Sequence, residues 1–114
     1  MNHIRAMKRQ ESEFASPPAE ATGRHLGALV RHARIARRWT MAELAERARV
    51  SLATLKRIEG GSLSTSLGAW LAVLERVGLM SRLAELRDPA SEALLNETRA
   101  KRPRGRLAGS DMDF

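Results

Sequence analysis

The 114-residue sequence contains no cysteine, so neither a disulfide framework nor a thiolate metal site is available, and a reducing, cytoplasmic setting is expected. Tyrosine is also absent and only two tryptophans and two phenylalanines are present. With β-branched residues sparse and no stretch of sustained period-two alternation, strands are disfavoured. An all-α fold is what remains. No apolar run approaches the length of a bilayer span and neither end has the form of a signal peptide, so no membrane role is expected. Catalytic patterns are missing as well. His3, His25 and His32 have no Asp or Glu placed with them in sequence to make a metal set. There is no G-x-S-x-G elbow or glycine-rich phosphate loop, and Asp111 with Asp113 is too short for a calcium loop. The reading is of a protein that is not an enzyme and takes no cofactor. Negative charge is the other shortage: 13 Asp and Glu stand against 20 Lys and Arg, a net charge of +7. That imbalance points to a polyanionic partner, because neutralising phosphates releases their counterions.

What is present is organised around Thr40 to Gly61, TMAELAERARVSLATLKRIEGG. Thr40 with Glu43 three residues on forms a capping box and starts a helix at Met41. Leu44, Ala45 and Ala48 make its apolar stripe, and it should end near Ala48. Val50 is the apolar residue of the turn, and Ser51 is a fresh N-cap whose hydroxyl can accept from the N–H of Ala53 or Thr54. In the second helix Leu55 and Ile58 point one way, while Ala53, Thr54, Lys56 and Arg57 occupy the other faces. Gly60 and Gly61 stop it, since a left-handed position after a helix is cheap only for glycine. The cations concentrate nearby: Arg24, Arg31, Arg34, Arg37, Arg38, Arg47, Arg49, Lys56 and Arg57 fall between Arg24 and Arg57, against Glu43 and Glu46 alone.

These residues resemble the helix-turn-helix domains of the phage-repressor class, the XRE or Cro/CI family. On the pattern xLAxxxxVSxxTLxRIExG the match is carried by Leu44, Ala45, Val50, Ser51, Thr54, Leu55, Arg57, Ile58, Glu59 and Gly61. It extends less sharply over Leu26 to Leu86. Arg49 departs from the pattern, because the family usually has glycine in the turn; either the turn is distorted or the extra cation is useful against a phosphate. The resemblance implies a five-helix repressor-type domain that binds double-stranded operator DNA as a homodimer, with the helix from Ser51 to Ile58 in the major groove. It implies base-edge contacts at Leu52, Ala53 and Arg57. Arg38, Thr40, Ser51, Thr54 and Lys56, with the helix N-terminus at Met41, would fix the register on phosphates. It also implies that Arg34 and Glu59 form a structural pair rather than a DNA contact. A two-fold contact is expected near the end of the domain, including Leu79, Leu83 and Leu86.

The rest of the chain divides into residues 1–21 as a flexible N-terminal arm, 22–88 as the domain, and 89–114 as a short helix and tail. The arm is either a disordered start or a basic segment, through Arg5, Lys8 and Arg9, that touches DNA backbone. A helix from about Thr22 to Arg38 carries Leu26, Leu29, Val30, Ala33 and Ile35 or Ala36 at helical spacing. Trp39 precedes the cap Thr40 and can staple onto the helix that follows. After the loop Ser62 to Ser66, a helix from Leu67 to Val77 buries Trp70, Leu71, Leu74 and Val77, and another runs from Leu79 to Leu86. Ala90 to Thr98 can form a short helix with Leu94 and Leu95. The tail then places a basic block, Arg99 to Arg106, before a Gly-Ser spacer and the end Asp111-Met112-Asp113-Phe114. That ending resembles the tails of antitoxins paired with HipA-like kinase toxins, which implies Asp111, Met112, Asp113 and Phe114 as partner-binding residues. The functional expectation is a repressor that autoregulates a toxin–antitoxin operon. Its alternatives are a general regulator without a toxin partner, or a protein-interaction module.

Overall fold

The computed structural model describes residues 15–101, and every regular element among them is an α-helix: α1 Pro17–Ala36, α2 Met41–Ala48, α3 Leu52–Glu59, α4 Leu67–Arg76, α5 Met80–Ala84 and α6 Pro89–Lys101. This is the all-α helix-turn-helix architecture expected from the sequence. The chain divides into a unit ending at Leu83 and a second beginning at Ala84. Arg5, Lys8 and Arg9 of the expected arm and Asp111 to Phe114 of the tail lie outside the described residues.

Helix α1 begins at Pro17 rather than Thr22. The side chain of Ser16 accepts the N–H of Ala19 at 3.2 Å, and Pro17 and Pro18 occupy the first turn, where a missing N–H leaves no helical bond unmade. Residues 17–21, assigned above to the flexible arm, therefore belong to this helix. It ends at Ala36 rather than Arg38, because Arg38 adopts a left-handed φ of 56°. The buried stripe also differs from the expected one. Gly23, Gly27 and Val30 are buried, whereas Leu29 and Ile35 are 36% and 51% exposed. The reason is close approach to the end of α3: a Cβ on Gly27 would lie 2.6 Å from the carbonyl oxygen of Ile58, and one on Gly23 would lie 2.8 Å from that of Gly61.

The core is shared by four helices. Val30 of α1, Leu44, Ala45 and Ala48 of α2, Leu55 and Ile58 of α3, and Trp70, Val73 and Leu74 of α4 close on one another, with Val77 at the end of α4. Leu44, Leu55, Ile58, Val30 and Val73 have no exposed surface, and burying each aliphatic side chain is worth about 1.5–3 kcal/mol. Trp70 is buried as expected, its indole N–H donating to the carbonyl of Ser62 at 3.2 Å. Val73 takes the fully buried place, while Leu71 stays half-buried.

Helix α5 is shorter than Leu79 to Leu86, and this corrects the expected apolar ridge. Leu79 and Leu83 pack half-buried against the core, and only Leu86, 78% exposed, is left over. In the second unit α6 is longer than Ala90 to Thr98. The Asp88 carboxylate accepts the N–H of Ala90 and the hydroxyl of Ser91, which holds it below the usual carboxylate range, and Pro89 follows at the first position. None of the residues of α6 is buried.

Candidate nucleic-acid interface

The capping box at the start of α2 is complete. The Thr40 hydroxyl accepts the N–H of Glu43 at 3.1 Å, and the Glu43 carboxylate accepts the N–H of Thr40 at 2.9 Å. These bonds to Thr40 keep the Glu43 carboxyl below its ordinary range. The N–H groups of Met41 and Ala42 are left without an intrahelical acceptor, as at any helix start. The Met41 side chain is half-buried against the core, while its backbone N–H stands at the open start of the helix.

The turn after α2 keeps regular geometry. Arg49 sits at φ 58°, ψ 41°, its N–H reaching the carbonyls of Ala45 and Glu46. The N–H of Val50 also bonds to Ala45, and the Val50 side chain packs on the core. The turn is therefore undistorted, and an arginine adopts the conformation glycine would adopt more cheaply, at a cost of order 1 kcal/mol.

Ser51 caps α3 by accepting the N–H of Thr54 at 3.0 Å, the second of the two alternatives expected. Its hydroxyl donates to the Thr54 hydroxyl oxygen at 2.9 Å, and Arg57 donates to that same oxygen at 3.2 Å. Ser51, Thr54 and Arg57 thus form one line of hydrogen bonds along the helix. Leu55 and Ile58 face inward with no exposed surface, while Leu52, 42% exposed, lies outside with Ala53, Lys56 and Arg57. At the far end it is Gly61, with φ 81°, that uses glycine's freedom; Gly60 keeps a right-handed φ of −81°.

Arg34 and Glu59 fasten this helix. The guanidinium donates twice to the carboxylate, at 2.7 and 3.1 Å, and once to the carbonyl of Trp39 at 3.0 Å. The two side chains are only 12% and 4% exposed, and the hydrogen bond to Glu59 raises the Arg34 pKa above its ordinary value. One residue of α1 thereby ties the end of α3 to the entry of α2. Arg37 is also committed, donating to the carbonyls of Ala33 and Val77 at 2.8 and 2.9 Å. The half-buried Trp39 ring packs against the core, and the Arg47 guanidinium of α2 lies 4.6 Å from its centroid, a cation–π contact onto the helix that follows.

Seven of the nine cations clustered in sequence are therefore of two kinds. Arg34, Arg37 and Arg47 are engaged within the fold. Arg38, Arg49 and Lys56 are exposed and make no side-chain hydrogen bond or ion pair with another described residue, and Arg57 makes its single exposed bond to Thr54. Of the sequence-predicted set, Ser51, Leu52, Ala53, Thr54, Lys56 and Arg57 are brought together on the cap and outer faces of α3. Thr40 and Met41 open α2, and Arg38 stands before them. Arg49 was not in that set; the available signal was its departure from glycine. Among the described residues no helix is long and apolar enough to cross a membrane, and no group of three His, Cys, Asp or Glu could hold a metal ion. No curated protein and no solved structure matches the chain significantly. Residues 25–88, more than half of the chain, match the family model of the helix-turn-helix domain, and the protein belongs to that family, a DNA-binding regulator whose helix pair is α2 and α3.

Proposed function

We propose that the protein is a dimeric, sequence-specific repressor that lays α3 in the major groove of its operator, and that it is the cytoplasmic antitoxin of a HipA-like kinase toxin whose operon it represses. The observation that carries the DNA-reading part is the division of α3. Its inner face is locked by Leu55, Ile58 and the Arg34–Glu59 pair, so its outer face is presented as a rigid surface of Leu52, Ala53, Lys56 and Arg57. Arg57 can exchange its bond to Thr54 for a bidentate pair with guanine O6 and N7, and Leu52 or Ala53 can meet a thymine methyl. The Thr54 hydroxyl accepts from both Ser51 and Arg57, which leaves its own proton for a phosphate. Arg38, Thr40, the N–H of Met41, Ser51 and Lys56 complete the positioning contacts.

Substitution separates the two kinds of contact. Arg57→Ala should cost about 1–3 kcal/mol and relax preference at one base pair, whereas Lys56→Ala should weaken all sequences alike. Selection of binding sites from a random pool reads this directly, and an unchanged motif and affinity for Arg57→Ala would mean that the wrong face has been assigned. A protein-interaction module would lack the steep loss of affinity with salt that phosphate neutralisation requires. The antitoxin part is supported by the order of the C-terminal sequence, basic block, spacer, then Asp111-Met112-Asp113-Phe114. A kinase-like gene next to this one would favour it over a general regulator.

A further inference from the structure

We infer that Arg49 is a phosphate clamp at the entry to α3, an inference that rests on the DNA-binding reading and adds a contact to it. Four described residues have a left-handed φ: Arg38, Arg49, Gly61 and Gly78. At Gly61 glycine is imposed by crowding, since a Cβ there would lie 2.7 Å from the Cα of Arg24. At Arg49 the chain carries a side chain where its absence would be easier, because Cβ sterics disfavour this conformation for every residue but glycine.

Nothing inside the fold accounts for that side chain. Arg49 is exposed, and no ion pair, side-chain hydrogen bond or aromatic ring among the described residues engages its guanidinium. Glu46, three positions earlier, supplies only its backbone carbonyl to the N–H of Arg49. The neighbours on the other side are both committed, Val50 to the core and Ser51 to capping α3. Arg49 is thus the last position before the helix cap whose side chain is not used by the fold. Asparagine would tolerate the left-handed φ better, so the sequence favours a long cation over ease of turning. A guanidinium offers a planar fork matched to phosphate oxygens. The other left-handed arginine, Arg38, is likewise exposed, so the two strained cations stand at the two ends of α2. Arg49 then grips the backbone beside the groove that α3 enters, and the strain in the turn is retained for a contact made outside the protein.

The test compares wild type with Arg49→Gly, Arg49→Asn and Arg49→Lys on two duplexes of equal length, one recovered by selection from a random pool and one of mixed sequence. Losing one phosphate contact should lower the slope of log affinity against log salt by about 0.9, which corresponds to roughly eight-fold weaker binding at 0.1 M salt. The loss should appear for Arg49→Gly and Arg49→Asn, be the same on both duplexes, and be largely absent for Arg49→Lys. Thermal melting supplies the second readout: removal of the strained Cβ in Arg49→Gly should leave Tm unchanged or higher, so the weaker binding cannot come from a damaged fold. Wild-type affinity and slope in both uncharged variants would overturn the proposal while leaving the groove reading intact. A wild-type protein that retards neither duplex would remove the DNA reading, and the clamp with it.

Discussion

Arg34 and Arg57 carry the same guanidinium on two helices that touch, yet substitution should act on them in opposite ways. Arg34→Ala would strand the Glu59 carboxylate, 4% exposed, so the expected loss of stability is about 3–5 kcal/mol. Replacing both partners together, Arg34→Met with Glu59→Leu, should recover most of that loss, because no buried charge is then left unpaired. Arg57→Ala, on the exposed face, should stay within about 0.5 kcal/mol of wild type in stability. Urea denaturation midpoints decide the matter; an Arg34→Ala midpoint equal to wild type would mean that the pair holds nothing. Composition alone does not distinguish Arg34 from Arg31 or Arg37, and the pairing was legible only through the repressor-class pattern. The anchoring of Arg37 on the carbonyl of Val77, forty positions away, was not legible at all, because a backbone acceptor has no sequence signature.

At the scale of elements, what the sequence makes readable is what is decided within one turn of helix. The box of Thr40 and Glu43 and the cap at Ser51 are local, and both stand where their spacing puts them. The start of α1 is local too, a Ser16 cap followed by Pro17 and Pro18 in the first turn, but assigning residues 1–21 to a flexible arm passed over it. The inner face of α1 is a tertiary fact: its backbone rests on the end of α3 through Gly23 and Gly27. An exposed helical Gly→Ala change usually stabilises by up to about 1 kcal/mol, but Gly27→Ala must push a Cβ against the Ile58 carbonyl at 2.6 Å. It should instead destabilise by about 1–3 kcal/mol. Gly68→Ala in α4, with nothing within 4 Å of the added carbon, is the control and should stabilise by about 0.4–1 kcal/mol. If the two variants melt alike, α1 does not rest on α3 as closely as described. In the DNA-binding reading proposed above, the same contact links stability to function, since a shift of α1 disturbs the seat of α3.

At the scale of the whole molecule, the helix-turn-helix match ends at Asp88, and Pro89 to Phe114 follow it in the sequence. Leu79 and Leu83 are partly buried against the core, so in the dimeric reading proposed above the fully exposed surface for pairing begins with Leu86. The C-terminal end concerns a different partner in the reading proposed above. Phe114 is the only aromatic after Trp70, and it stands beside Asp111, Met112 and Asp113 beyond a Gly-Ser spacer. A short terminal anchor has to recover the entropy lost on ordering, which a single aromatic in a pocket with flanking charges for orientation can do. The pocket should be rimmed with basic residues, to match the two aspartates. Deleting residues 111–114 should therefore leave affinity for a selected operator unchanged, because the DNA contacts proposed above belong to α2, α3 and the turn between them. Affinity for the neighbouring gene product, and neutralisation of its toxicity on co-expression, should fall. Phe114→Ala should reproduce most of the loss, and Phe114→Trp should restore part of it. Equal binding of the full-length and shortened proteins to that product would remove the antitoxin reading of the tail and leave the DNA-binding regulator as it stands.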